Sequence, residues 1–138
     1  MFFVVDGIPV PKMRPRVTYS GHAYTPEKTK VFESRVKDAA MQAMGGCEPL
    51  RGAVRLDVRQ YFPIPVSWPK QKRQDALNGG LAHTVKPDAD NVYKSVADAL
   101  NGVAYVDDVQ VVSGGFTKRY SERPRVEITV TKADEVQA

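Results

Sequence analysis

Cysteine and histidine are scarce in this chain of 138 residues, which contains one cysteine and two histidines. The single cysteine, Cys47, excludes an internal disulfide and any zinc site that needs several cysteines. It follows two glycines in a predicted loop, so we interpret it as an ordinary free thiol. His22 and His83 are too few for a histidine-rich metal centre.

Long apolar runs are also missing. No run approaches the length that spans a membrane, and the amino terminus lacks the basic segment of a signal peptide. We therefore expect a cytoplasmic protein that does not contact a membrane. The chain shows no internal repeat and no linker-like segment, so it is predicted to form one domain over residues 1–138.

Acidic residues are the minority among the charges, 16 against 20 lysines and arginines, which gives a formal net charge of +4. This excess alone favours a nucleic-acid partner only weakly. The carboxylates gather at two points, Asp88 with Asp90 and Asp107 with Asp108. A basic chain that clusters its carboxylates often uses them to hold a divalent cation, while the positive remainder suits a polyanion. The pattern therefore points to a metal-dependent enzyme that acts on nucleic acid.

The spacing of apolar residues predicts a mixed α/β (α+β) fold, with two principal helices packed on one β-sheet. Strands are predicted over residues 2–5, 54–58, 109–112 and 126–130. Helices are predicted from residue 25 to residue 45, over 70–76 and over 90–100. The 70–76 helix is short and basic, and the other two are the principal helices.

Capping signals mark the ends of these elements. The first helix is predicted to have Thr25 as its N-cap and Pro26 at its first position. Gly45-Gly46 ends that helix. Gly114-Gly115 predicts a turn or a bulge after the third strand.

The acidic segment begins directly after Pro87. If the backbone stays extended through Asp90, the carboxylates of Asp88 and Asp90 project to the same side. Asp90 is also well placed to cap the helix that follows. Lys94 and Asp98 lie four and eight residues beyond Asp90, so the three share one helical face, which points away from the core.

Magnesium prefers a few carboxylates together with waters and phosphate oxygens. Two aspartates from this segment and one from Asp107-Asp108 would suffice for one or two such ions. A bound cation activates water and offsets charge on the departing oxygen, as phosphodiester hydrolysis requires. Lys94 is then a candidate to contact the scissile phosphate or to position the attacking water.

Structural roles could account for the same residues. Asp90 could serve only as an N-cap, and Asp107-Asp108 could form only a turn. Asp98 is more readily explained as a solvated helix residue or a partner of Lys94 than as a metal ligand. Spacing alone leaves both interpretations open.

Taken together, the chain resembles the RusA-type Holliday junction resolvases, in particular their phage and prophage branch. The resemblance is carried by Asp88-Ala89-Asp90-Asn91, Lys94 one turn later, Asp98-Ala99-Leu100 and Asp107-Asp108-Val109-Gln110-Val111-Val112. It extends more weakly along most of the chain, including residues 11–16, 24–26 and 67–69.

This resemblance implies a RusA-like fold and a homodimer that binds branched DNA. Such a dimer would nick two strands of a four-way junction symmetrically with Mg²⁺ or Mn²⁺, in DNA recombination and repair. By position, Asp88, Asp90 and Asp108 would be catalytic and would bind the metal. Lys94 matches the family's functionally important lysine. Asp107 is left open as a further ligand.

Three basic groups are candidates for contacts with DNA phosphates: Lys12, Arg14 and Arg16; Lys70, Lys72 and Arg73; and Lys118, Arg119, Arg123 and Arg125. Such contacts position the backbone and carry little sequence information. We favour the first group because prolines hold its loop, which lowers the ordering cost on binding. The second group could equally be an exposed helix face. The third is interpreted mainly as strand-edge charge that opposes aggregation.

Three aromatic residues, Trp68, Tyr24 and Tyr105, could stack on exposed bases at a junction centre. Packing in the core or in a loop explains each of them as well. The sequence does not choose between these roles.

Two other functions fit part of the pattern. A module that binds branched DNA without cleaving it would keep the basic groups but would not need three clustered aspartates. A nucleotidyltransferase or glycosyltransferase could use Asp-x-Asp to hold a nucleotide diphosphate, yet such enzymes normally have a larger nucleotide-binding domain. The sequence therefore predicts the nuclease, with the non-cleaving module as its alternative.

Overall fold

The structure is a computed structural model that describes residues 1–14, 16–24 and 26–133, and of Arg16 only the backbone. In chain order its elements are β1 (Phe2–Asp6), β2 (Arg16–Val17), β3 (Ala23–Tyr24), α1 (Glu27–Met44), β4 (Val54–Phe62), α2 (Lys70–Leu77), α3 (Ala89–Ala99), a 3₁₀ turn (Asp108–Gln110), β5 (Val111–Tyr120) and β6 (Arg125–Lys132). No described helix is both long enough and apolar enough to span a bilayer.

Four strands form one mixed sheet in the order β1-β6-β4-β5. β5 runs parallel to β4, and the other neighbours are antiparallel. Alternate residues of β4 are buried from Val54 to Phe62, because one face of this sheet packs against helices. α1 and α3 contact each other and the sheet. The predicted α+β fold with two principal helices on one sheet is confirmed.

α1 begins one position later than the sequence predicted. Pro26 occupies the N-cap position with an extended backbone (φ −53°, ψ 142°), so Glu27 is the first helical residue. Thr25, the predicted N-cap, lies outside the described residues. Gly45 ends the helix as predicted, in the left-handed conformation that glycine adopts without steric cost (φ 57°, ψ 36°).

α3 begins earlier than predicted. Asp88 is its N-cap residue with an extended backbone, and Asp90 already lies in the first helical turn. The condition that the segment stays extended through Asp90 is therefore not met, and the N-cap is Asp88 and not Asp90 as the sequence suggested. The N–H groups of Asn91 and Val92 both donate to the carbonyl oxygen of Asp88, which starts the helix at Ala89. Alanine is the strongest helix former, so its presence between the aspartates favours this start.

The strand predicted over residues 109–112 is also wrong in its bounds. Asp108–Gln110 forms a 3₁₀ turn, and the strand runs from Val111 to Tyr120. The glycine pair does not end it. A register shift occurs at the start of the pairing, where Val54 faces Val111 but Arg55 faces Ser113. The extra residue makes a bulge, after which β5 pairs with β4 to its end.

β2 and β3 pair as a small antiparallel ribbon that the sequence pattern did not predict. Each strand has two residues. Strands of that length carry no detectable alternation, so no sequence signal could have located them.

Candidate active site

The first acidic point lies at the amino terminus of α3. Asp88 and Asp90 are both exposed there, and Lys94 is exposed one turn further on. The helix end carries partial positive charge from its unpaired N–H groups, which favours carboxylates at these positions. Val92 and Val96 are fully buried on the opposite side of the helix and fix which face the polar residues occupy.

The loop that enters α3 is tied to the sheet by Lys118 of β5. Its Nζ donates to the carbonyl oxygens of Val85 (2.6 Å) and Pro87 (2.8 Å). The peptide bond between Lys86 and Pro87 is cis. Burial lowers the pKa of the Lys118 ammonium, and the negative charge of Asp88 opposes part of that shift.

A second side chain from the sheet reaches the same segment. Gln60 of β4 donates from Nε2 to the carbonyl oxygen of Ala89, at 2.9 Å. Gln60 is fully buried, and it faces Lys118 in the pairing of β4 with β5. Two neighbouring side chains of the sheet therefore hydrogen-bond to the backbone on both sides of Asp88.

At the second acidic point, Asp107 and Asp108 have different roles. Asp107 accepts a hydrogen bond from the N–H of Val109 (3.0 Å) and caps the 3₁₀ turn. The Oε1 of Gln110 accepts the N–H groups of Val106 (2.8 Å) and Asp107 (3.0 Å), which completes the capping box. Asp108 is left outside this capping arrangement and is half-buried.

Asp108 packs against other carboxylates. Burial raises the pKa of Asp108, and its close contacts with Asp98 and Asp107 raise it further. Like charges this close disfavour ionisation. A cation placed among these oxygens would relieve that repulsion.

Lys12 supplies the positive charge nearest to this cluster. Its Nζ lies 2.8 Å from a carboxylate oxygen of Glu33 and 3.0 Å from one of Asp98. Burial alone would lower the pKa of Lys12, but its hydrogen bonds to Glu33 and Asp98 outweigh burial and raise it. The backbone N–H of Lys12 also donates to the carbonyl oxygen of Asn91 (2.8 Å). The loop between β1 and β2, which contains Lys12, is therefore bonded to α3 at two places.

The predicted site residues are not gathered into one preformed cage. Among the described residues, no three histidine, cysteine, aspartate or glutamate side chains converge as a metal cage requires. Asp98 lies two helical turns from Asp90, about 12 Å along the axis, and it is Asp98 that Asp108 contacts. The ion-pair partner of Asp98 is Lys12 and not Lys94, and pairing with Lys94 was one of the two structural roles offered for Asp98. Joint ligation by Asp88, Asp90 and Asp108 remains a prediction.

The predicted DNA contacts lie on two segments. Arg14 is exposed on the loop before β2, while the side chain of Arg16 lies outside the described residues. Lys70, Lys72 and Arg73 are exposed on α2. The Nζ of Lys72 lies 4.1 Å from the centre of the Trp68 ring system, a cation–π contact.

The third basic group is mostly engaged within the fold. Arg123 pairs with Asp6 at 2.9 Å, and Arg125 pairs with Glu127 at 3.0 Å. β6 lies between β1 and β4, so Arg125 is not on a sheet edge. The interpretation as strand-edge charge is therefore wrong for Arg125. Lys118 and Arg119 do lie on an edge strand, β5, where Arg119 is exposed and Lys118 binds backbone carbonyls.

Of the three aromatic residues, Tyr105 cannot stack on a base in this structure. It is fully buried, and its hydroxyl donates to the carbonyl oxygen of Ala97 at 2.7 Å. Trp68 is half-buried and meets Tyr120 edge-to-face, with centroids 5.3 Å apart. Tyr24 is exposed, so base stacking by Tyr24 remains a prediction.

The contacts that Gln60 and Lys118 make with the acidic segment were not predicted from the sequence. A signal for Gln60 exists, because it is a polar residue at a buried position in the alternation of β4. Buried amides require a partner, and that requirement points to a specific contact. No comparable signal marks Lys118, since its contacts depend on how the loop folds over β5.

The donor set suits a hard divalent cation. Carboxylate oxygens are the ligands that Mg²⁺ prefers, and it commonly takes only one or two of them, with water and substrate phosphate completing its coordination. The carboxylate of Asp108, beside those of Asp98 and Asp107, would accept such an ion. The exposed carboxylates of Asp88 and Asp90 are accessible for the same purpose.

A comparison with known protein families also indicates a nuclease. Residues 6–131 match the family described as Endodeoxyribonuclease RusA. The chain is also 42% identical over 133 residues to the uncharacterized protein YqaN of Bacillus subtilis (strain 168), and the match covers 93% of each chain. The family match includes both acidic points and most of the sheet.

Proposed function

The chain belongs to the RusA endodeoxyribonuclease family, and on that premise we propose that it resolves four-way (Holliday) DNA junctions by metal-dependent, paired symmetric nicks. The observation that carries the proposal is the grouping of exposed Asp88, Asp90 and Lys94 at the amino terminus of α3, in a chain that matches this family over residues 6–131. Carboxylates exposed in this way can take a divalent cation together with water and a substrate phosphate.

In the proposed mechanism, Asp88, Asp90 and Asp108 would hold Mg²⁺, for which Mn²⁺ could substitute. The ion would supply an activated water and would offset charge on the departing oxygen. Lys94, exposed on the same face of α3 as Asp90, contacts the scissile phosphate and balances its charge. Asp107 is occupied by capping the 3₁₀ turn, which favours Asp108 as the ligand of that pair.

DNA binding is assigned to the exposed basic residues. Lys12 and Arg14, on the loop before β2, and Arg16, at the start of β2, would contact one arm of the junction. Lys70, Lys72 and Arg73 would contact the backbone from α2. These contacts act on phosphates and therefore hold the arms without reading sequence.

A homodimer follows from the proposed reaction. Resolution requires nicks in two strands of like polarity, and each protomer would supply one site. The role would lie in DNA recombination and repair in the cytoplasm, in a phage or prophage setting.

Three aspartate variants test the proposal. Asp88→Asn, Asp90→Asn and Asp108→Asn should each lower the nicking rate on a synthetic four-way junction by at least about 100-fold, because each removes a charged ligand. Each variant should still bind the junction. Asp38→Asn, an exposed carboxylate on α1, is the matched control and should nick at the wild-type rate. Full activity in all three aspartate variants would refute the assignment.

A further inference from the structure

Two side chains of the sheet bind alternate carbonyl groups of the backbone that carries the acidic segment. Lys118 binds those of residues 85 and 87, and Gln60 binds that of residue 89. Asp88 therefore sits between two anchored peptide groups, and Asp90 follows the second of them. Neither Lys118 nor Gln60 contacts the carboxylates through a hydrogen bond in the described residues, so both act on the backbone.

We infer that Lys118 and Gln60 are positioning residues, which hold Asp88 and Asp90 in the arrangement that binds the divalent cation. This inference rests on the proposed function and adds residues to it. The two positions pair directly in the register of β4 with β5. A shift of one strand against the other would move both anchors away from the segment.

The chemistry at position 60 favours a role beyond stability. Its neighbours on the same face of β4, Val58 and Phe62, are buried and apolar. Gln60 is buried between them, and its Oε1 has no hydrogen-bond partner among the described residues. An unpaired buried acceptor is unfavourable, and an apolar side chain of the same size would avoid it. The hydrogen bond from Nε2 to the carbonyl oxygen of Ala89 is therefore the reason for a glutamine at this position.

β5 also connects the anchors to the second acidic point. The strand begins directly after the 3₁₀ turn that contains Asp108 and reaches Lys118 seven residues later. β5 thus begins three residues after a predicted ligand, Asp108, and carries Lys118, an anchor of the segment with the other two ligands, near its end. Their relative position is set by the pairing of β5 with β4.

Gln60→Leu and Lys118→Met test the inference. Each removes a donor and keeps a side chain of similar size. The binding of Mn²⁺ to the DNA-free protein would be measured by titration calorimetry, together with the melting temperature. We expect Mn²⁺ affinity to fall about 10–100-fold, as for other residues that orient metal ligands. The Gln60→Leu melting temperature should not fall, because that change also removes the unpaired acceptor.

Arg59→Met is the matched control. Arg59 neighbours Gln60 on β4 but is exposed on the other face of the sheet, and its loss removes one positive charge, as Lys118→Met does. It should bind Mn²⁺ as the wild type does.

The outcomes separate this inference from the proposed function. If wild-type protein neither binds Mn²⁺ nor nicks a junction, the proposed function fails. If wild-type protein does both and Gln60→Leu keeps the wild-type Mn²⁺ affinity, the pair serves only the fold and the inference is overturned. Should Lys118→Met fail to fold, Gln60→Leu alone decides.

Discussion

His83 shows how surroundings set the charge of a single residue. Its ring stacks on Phe62 with centroids 4.4 Å apart and lies 4.7 Å from Tyr120. Burial lowers the pKa of His83, and the positive charge of Lys118 lowers it further. Its Nδ1 is buried with no partner among the described residues. The neutral ring therefore acts as a packing aromatic.

The lowered pKa predicts a pH dependence of stability. Between the folded pKa and the ordinary value of about 6.5, the unfolded chain binds more protons at His83 than the folded chain, so the free energy of unfolding falls as pH falls. This contribution is complete above pH ~6.5 and is lost below it. His83→Phe keeps an aromatic ring and should reduce the loss of stability on going from about pH 7.5 to about pH 5.5.

Denaturant unfolding at several pH values measures this difference. Other groups, including Asp108, titrate in both proteins and cancel in the comparison. His22→Gln, which changes an exposed histidine, is the control for removing a histidine elsewhere in the fold. Identical pH profiles for His83→Phe and the wild type would contradict the account of His83.

At the scale of elements, β5 depends on one close approach between strands. Gly114 has a φ of 117°, and a Cβ at that position would overlap the carbonyl oxygen of Leu56 on β4. Backbone atoms cannot move aside as a flexible side chain can. The bulge at the start of β5 and this glycine together allow the strand to continue to Tyr120.

Gly114→Ala should therefore destabilise the fold by at least roughly 1–3 kcal/mol, the cost of a strained backbone position, before the steric overlap is added. Gly115→Ala is the matched control, because nothing lies within 4 Å of the place that a Cβ would occupy there and its φ is ordinary. Thermal unfolding of both variants gives the comparison. Equal melting temperatures for the two variants would show that the approach of β5 to β4 is not constraining.

The elements also show what could be predicted from sequence. β4 and β6 alternate clearly, and α3 has a strong apolar face at Val92 and Val96, so their existence and type were predictable. The start of α3 was not, because Asp88 and Asp90 are both acceptable near a helix amino terminus and only the backbone bonds distinguish them. β5 was cut short because its exposed residues and two glycines hide the pairing with β4, which is a long-range contact.

The candidate site was predictable to the same extent. The types and spacing of Asp88, Asp90, Lys94 and Asp108 led to the prediction of a metal site, which stays a prediction. They could not reveal that Asp108 contacts Asp98, since that contact joins a turn to the middle of a helix. The anchors Gln60 and Lys118 depend equally on tertiary packing.

At the scale of the whole molecule, the candidate carboxylates lie in two places. One is the amino terminus of α3, and the other is beside the carboxyl-terminal half of the same helix. The excess of positive charge supports binding to DNA phosphates. The central claim, however, concerns the reaction, which is two nicks in one branched substrate by a metal-dependent enzyme.

Strand-mapped cleavage of a synthetic four-way junction, in Mg²⁺ and in EDTA, tests that claim most directly. Wild-type protein should produce paired nicks at symmetry-related positions in two strands of like polarity, and EDTA should abolish both. Tight junction binding without nicks, in Mg²⁺ and in Mn²⁺ alike, would contradict the account and leave a protein that binds branched DNA without cleaving it.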